Sequence, residues 1–359
     1  MNKPRLAFRA DGTFQILQLT DMHLADTAGR DAPLFPLVRG LIVREEPDLV
    51  AFTGDISCDG DAARMVSRVD ALNALMESLG IPYTYVLGNH ESDGDAGRQH
   101  ALADALEKYP LCLFERGDAA LGVGNYAVPV RPHAGGDRPA WMLYHLDCHA
   151  GADYATDGGA PRRGDAFILP EQMLWLDRTH RALQKQYGSV PSLLFDHVPL
   201  PEFDDVWMFD GIYGDRGEKV CCPPVNSGLF SLLYRLGDFR GVFAGHDHTN
   251  SFHGTMMGIL LAYGRCSGNR RWCLWPTPHA PQSAAREHPV DGRPPYEDHF
   301  RRGGRVVVLG EASGRIEDTY ISLYDGTAEA GTYAPPPFER FDFYLPPAGV
   351  RRNGWGAPL

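Results

Sequence analysis

Five short strings of oxygen and imidazole side chains follow one another along the chain. They are Asp21-Met22-His23, Gly54-Asp55, Gly88-Asn89-His90-Glu91, a single His197, and Gly245-His246-Asp247-His248. A hard divalent metal takes carboxylate, amide and imidazole donors, and these strings contain no cysteine. Asp21 and His23 lie two residues apart, so in extended chain they point the same way and both reach one ion. Asp55 has two carboxylate oxygens and can bridge two ions. Asn89 offers a neutral oxygen, which limits negative charge where a phosphate must bind. His246 and His248, again two apart, can reach one metal each. Two metals about 3.5–4 Å apart polarise a bridging water to hydroxide and hold a phosphoryl group for in-line attack. The departing alkoxide then needs a proton or a positive charge. His90 stands beside Asn89 without being required as a ligand, which suits it to that task as general acid or electrostatic stabiliser. Glu91 or Asp59 is the candidate to orient it. His90 and the bridging Asp55 are thus the expected catalytic residues.

Each string alone has an ordinary reading. Asp-x-His and Gly-Asp are common in turns, and a lone His197 is more often a hydrogen-bonded structural histidine than a ligand. The conjunction decides against that reading: five strings of complementary donors each follow a segment that reads as a strand.

Those segments can be placed. Phe14 to Thr20 reads as a strand ending at Asp21, and a helix from Leu34 to Glu46 is closed by Pro47. Asp48 to Thr53 is a largely apolar run, expected of a strand covered on both faces. Residues 61 to 79 carry apolar side chains at helical spacing and stop at Gly80. Tyr83 to Leu87 is the next strand. This βαβαβ opening predicts parallel strands with helical crossovers. Ligands gather beyond the carboxyl ends of such strands, where the first three strings sit.

The second half predicts a mixed or antiparallel sheet. Its strands are expected at residues 124–128, 141–147, 192–196 (delivering His197) and 241–244 (delivering Gly245-His246-Asp247-His248). Strands around Leu260 and Val306 to Leu309, and a last hairpin near Ile316 to Leu323, are expected to complete it. Helices are expected at Pro170 to Tyr187 and Gly228 to Leu236. Residues 201–224 are turn-rich and read as a loop over the site. Residues 268–302 lack periodicity and read as an irregular insertion. One domain is expected over residues 1–325. A C-terminal extension, 326–359, is expected to pack on it through Phe338 to Leu345.

With these strings in order, the chain resembles the calcineurin-like metallophosphoesterases, whose signature is D-x-H, G-D, G-N-H-[DE], a single H, then G-H-x-H. The resemblance spans roughly residues 14 to 265. Gly122-Val123-Gly124-Asn125-Tyr126, Val198-Pro199-Leu200-Pro201-Glu202 and Asn226-Ser227-Gly228-Leu229-Phe230 resemble the purple-acid-phosphatase-like branch. The resemblance implies an α/β (α+β) fold, a four-layer αββα sandwich of two mixed sheets flanked by helices. It also implies Asp21, His23, Asp55 and His248 on one metal, and Asp55, Asn89, His197 and His246 on the other. Purple acid phosphatases carry a tyrosine ligand to ferric iron a few residues after Gly-Asp. Cys58 stands there instead, as a soft ligand or a small buried thiol. The cofactors expected are therefore two divalent metal ions, Mn2+, Fe2+ or Zn2+, without a purple colour. Loops converging on the metals nominate Asn125, Asp147, His149, Asn226, Tyr263 and Arg265 as substrate contacts.

Composition bounds the rest. The chain has 359 residues, 43% hydrophobic and 22% charged, as in an ordinary globular protein. A net charge of −12 speaks against a general nucleic-acid binder, which needs clustered Lys and Arg. Seven cysteines in no C-x-x-C spacing read as reduced thiols. No stretch reaches the length of a membrane span, and no apolar segment follows the basic N-terminal residues. A cytoplasmic location is expected. The function expected is a dinuclear metal-dependent phosphoesterase acting on a small phosphorylated substrate, in the first place a phosphomonoester. The alternatives are a nucleotide or phospholipid-headgroup phosphodiesterase, and a non-catalytic metal-binding scaffold.

Overall fold

The computed structural model describes residues 3–25, 29, 31–92, 95–268, 301–331 and 333–335. Strands Thr13–Leu19, Leu49–Thr53 and Tyr83–Val86 run parallel, with Leu17 beside Val50 and Val50 beside Tyr83. All five residues of Leu49–Thr53 are buried, because both faces of this sheet are covered. On the outer face lie helices Leu34–Glu45 and Ala62–Leu79, the second packed against Ala96–Leu106. Ala62–Leu79 starts where the Asp61 side chain accepts the Arg64 N–H. It then buries Met65, Val69, Leu72 and Met76, which share one helical face.

The second sheet has nine strands. Its centre, Trp141–His145, Ser192–Phe195, Phe239–Ala244 and Ile259–Tyr263, is again parallel. Helices Pro170–Tyr187, Glu202–Phe209 and Leu229–Leu236 cover its outer face, with Leu176, Phe203, Val206 and Leu233 in one apolar cluster with the strands. The inner faces of the two sheets pack on each other, so the molecule is a four-layer αββα sandwich. One ladder shows how the layers lock. Tyr126, His145, Phe195 and Phe243 are register neighbours on adjacent strands, with ring centroids 4.4, 5.3 and 5.4 Å apart in turn. The Tyr126 hydroxyl donates to the Tyr85 carbonyl of the other sheet at 2.7 Å.

Several expectations change. Residues 201–224 are not all loop. Glu202–Phe209 is a helix, followed by the short strand Ile212–Tyr213. Phe203 and Val206 share its buried face, and Glu202, Asp204 and Asp205 in its first turn suit the positive end of the helix dipole. Strands Gly303–Gly310 and Ile316–Leu323 do not finish the second sheet. They join the first, where Gly303–Gly310 pairs antiparallel with the open edge of Thr13–Leu19. The strand expected at 124–128 runs from Tyr126 to Arg131. Helices Asn89–Ser92 and Ala96–Leu106, and the hairpin of Gly151–Tyr154 with Arg162–Asp165, had no counterpart in the sequence reading. Residues 269–300, most of the expected insertion, and Phe338 to Leu345 of the tail lie outside the described residues. No helix among the described residues is long and apolar enough to cross a membrane.

Candidate metal centre

All five strings emerge at carboxyl ends of parallel strands. Asp21 and His23 follow Thr13–Leu19, Asp55 follows Leu49–Thr53, and Asn89 and His90 follow Tyr83–Val86. His197 follows Ser192–Phe195, and His246 and His248 follow Phe239–Ala244. Asp21, His23, Asp55 and His246 all adopt positive φ, at 54°, 49°, 51° and 75°. Such backbone costs about 1–3 kcal/mol per residue and persists only where the surroundings hold it. Glu91 does much of the holding. Its buried carboxylate accepts N–H bonds from Asp55 (3.0 Å), Ser57 (2.9 Å) and Gly88 (2.7 Å), tying two loops together. The glycines of the strings allow the approach. A Cβ on Gly54, whose φ is 90°, would lie 2.3 Å from His197 Nδ1, and one on Gly88 would lie 2.2 Å from Asp55 Oδ1.

Two donor groups result, Asp21–His23–Asp55–His248 and Asp55–His197–His246, each with ligand atoms within 4.8 Å of one another. In the first, His23 Nε2 is 2.9 Å from His248 Nε2 and 3.9 Å from both Asp21 Oδ1 and Asp55 Oδ2. In the second, His197 Nε2 is 3.2 Å from Asp55 Oδ2, and Asn89 Oδ1 lies 3.2 Å from His197 Nε2 and 3.1 Å from His246 Nδ1. Asp55 belongs to both groups. Its Oδ2 faces the histidines while Oδ1 accepts the His90 N–H at 2.9 Å.

The outer contacts set the direction of each donor. His197 Nδ1 donates to the Thr53 carbonyl at 2.8 Å, which turns Nε2 towards Asp55 Oδ2 and Asn89 Oδ1. The Thr20 hydroxyl donates to Asp21 Oδ2 at 2.8 Å. His246 Nε2 faces Asp165 Oδ2 at 3.5 Å, so Nδ1 is turned inward.

The electrostatics of the pocket call for positive charge. Burial alone would lower His197, yet Asp55 outweighs it and pushes the imidazole up to about 10. His248 is likewise pushed up to about 10, against burial, by Asp21. The carboxyl of Asp21 is held at about 2, burial being outweighed by His248, and Asp55 lies well below the usual range for the same kind of reason, with His197 foremost. His23 is the exception, lowered to about 3 chiefly by burial. Carboxylates, an amide oxygen and imidazoles that give up their protons to a bound ion, without thiolate, fit hard to borderline divalent ions. Cys58 stands outside both groups, its thiol 3.5 Å from the His23 carbonyl oxygen.

His90 lies at the rim, its side chain 28% exposed and Nε2 3.8 Å from Asp55 Oδ2. The two residues expected to orient it are engaged elsewhere. Glu91 holds the backbone N–H groups named above, and Asp59 pairs with Arg64 at 3.0 Å.

The nominated substrate contacts also have other partners. Asn125 is buried, with Oδ1 accepting from Asp147 N–H and Gln172 Nε2 while Nδ2 donates to the Leu121 carbonyl. Asp147 is buried and accepts N–H bonds from Val123 and His149. His149 packs Nε2 against Gln172 Oε1 at 2.8 Å. Asn226 donates to Glu202 and accepts the Gly228 N–H, organising the turn before Leu229–Leu236. The Tyr263 hydroxyl donates to Asp247, and Arg265 faces Asp215 and Ser251 in a separate cavity. Asn125, Asp147, His149 and Asn226 thus brace loops around the centre. Asp165 is the residue the sequence reading missed. It ends a hairpin strand, Arg162–Asp165, of mostly polar, partly exposed residues with no periodicity to mark it.

Residues 14–250 match the family described as calcineurin-like phosphoesterase. The chain is 31% identical over 291 residues to "Probable inactive purple acid phosphatase 29" of Arabidopsis thaliana, covering 72% of this chain and 73% of the relative. It is 29% identical to "Phosphatase DCR2" of Saccharomyces cerevisiae, covering 72% of this chain and 49% of the relative. Among solved structures, a dimetal phosphatase from Danio rerio superposes with a TM-score of 0.52 at 14% identity, over 89% of this chain and 98% of that one, a likeness of fold.

Proposed function

The chain belongs to the calcineurin-like phosphoesterase family, and on that premise we propose that it hydrolyses a phosphate ester, in the first place a small phosphomonoester, at a centre holding two divalent ions. The observation that carries the proposal is the Asp55 carboxylate, which stands in both donor groups at once. Asp21, His23, Asp55 and His248 would hold one ion, and Asp55, Asn89, His197 and His246 the other. Bound there, the ions supply Lewis acidity at a phosphoryl group and acidify water. The chain's own residues do the rest. Asp55 fixes the relation of the two halves, and the Thr53, Thr20 and Asp165 contacts hold the donors in the orientation they need. His90 sits at the open rim beside Asp55, where its Nε2 can pass a proton to the leaving oxygen.

The name of the plant relative speaks of inactivity in that protein. What supports catalysis in this chain is that its donor set is complete and the rim histidine is present. The test is hydrolysis of a chromogenic phosphomonoester, with the corresponding bis-ester as parallel substrate. Each is assayed after metal removal and again after adding Mn2+, Fe2+ or Zn2+. Activity should need added metal and disappear in Asp55→Asn. Full activity in the stripped protein would overturn the mechanism, and preference for the bis-ester would turn the reading to a phosphodiesterase.

A further inference from the structure

Away from the metal centre, strands of the two sheets line a half-open cavity of about 510 Å³. No member of either donor group lines it. Three arginines do, Arg265, Arg301 and Arg305, together with the carboxylates of Asp215 and Glu329. Arg265 and Arg305 are each only 1% exposed. Arg265 donates to Asp215 at 2.7 Å, and Arg301, at the rim, pairs with Asp325 and Glu329. Arg305 differs from both. Its Nε donates to the Tyr263 carbonyl (2.6 Å), Nη2 to the Ser251 carbonyl (2.7 Å) and Nη1 to the Thr319 hydroxyl (3.0 Å). His253 Nδ1 approaches at 3.5 Å and is itself kept neutral, lowered to about 3 by burial and then by Arg305. Every one of these partners is uncharged.

A guanidinium taken out of water without a counter-charge is costly. Burial, and then the charge of Arg265, push Arg305 down to about 9, and no acid among the described residues acts the other way. The pocket beside it has the size of a small-ligand site. Guanidinium forks match the oxygens of tetrahedral anions.

We infer that this cavity is an anion site, separate from the metal centre, in which Arg305 with Arg265 and Arg301 receives a small tetrahedral oxyanion. The probe is sulfate, added against chloride at constant ionic strength and read as the melting temperature. Wild type should show a saturable rise. Asp55→Asn should show the same rise, because the metal centre takes no part. Arg301 has a side chain 43% exposed, so Arg301→Glu leaves the core intact. That variant should need about 10–100-fold more sulfate, the worth of one charge-assisted contact. Wild-type crystals soaked in selenate should show an anomalous peak beside Arg305, a readout that depends on no variant. The inference fails if wild type shows no saturable rise, or if Asp55→Asn abolishes the rise while Arg301→Glu keeps it. It fails equally if selenate appears only at the metal centre.

Discussion

Asp55 divides its two oxygens between two tasks. Oδ1 accepts the His90 N–H and so sets the start of the short helix Asn89–Ser92, while Oδ2 faces the imidazoles of both donor groups. His90 is therefore positioned by its backbone, and its ring stays at the rim. His90→Ala should lower kcat by about 10²–10⁴-fold, the usual worth of a general acid, while metal content measured on the same sample stays at the wild-type level. A parallel loss of metal would instead make His90 a ligand. Asp165 acts at one remove. Its carboxylate lies 3.5 Å from His246 Nε2, and burial notwithstanding, His246 lowers its pKa, so it is ionised at neutral pH. Removing such an outer partner loosens the ligand it orients. Asp165→Ala should weaken metal affinity by about 10–100-fold in a chelator competition, with the fold unchanged by circular dichroism.

At the scale of elements, the Tyr126–His145–Phe195–Phe243 ladder ties four strands of the nine-stranded sheet together beneath the second-sheet loops of the metal centre. His145 is fully buried with both ring nitrogens unbonded among the described residues, and burial lowers it from 6.5 to about 3. The unfolded chain therefore binds a proton that the folded chain refuses between those two values. Stability from this site is complete above about pH 6.5 and falls as the pH drops towards 3. His145→Phe keeps a ring in the stack and removes the titration. Compared by urea midpoints at pH 7 and pH 4, wild type should lose more than the variant, the difference being on the order of a few kcal/mol. Equal losses would show that acid acts elsewhere. The Glu91 carboxylate is the corresponding device in the first sheet, where it locks the loops after Leu49–Thr53 and Tyr83–Val86.

For the whole molecule, the centre joins the two halves of the sandwich, because Asp21, His23, Asp55 and Asn89 come from one sheet and His197, His246 and His248 from the other. Metal bound across that seam should stabilise the entire fold. At a free metal concentration of 100 times Kd the gain is about 2.7 kcal/mol, visible as a rise in melting temperature that a chelator reverses. A melting temperature indifferent to metal would count against the paired centre. The candidate donors, their order and the parallel strands that carry them are legible in the chain alone, because ligand chemistry and the periodicity of buried strands are both written locally. Asp21, His23, Asp55, Asn89, His197, His246 and His248 are all legible in this way as candidates, and the structure brings them together. Folding alone sets which neighbours orient them. Asp165 comes from a polar hairpin without pattern, and Glu91 serves backbone N–H groups rather than the adjacent His90. Asn125, Asp147 and Asn226 spend their hydrogen bonds on the loops. It also decided that Gly303–Gly310 closes the first sheet and that Arg305 is buried beside a cavity. The physical reason is the same in each case. Chain chemistry is local, whereas a hydrogen-bond partner is set by what folding brings within about 3 Å.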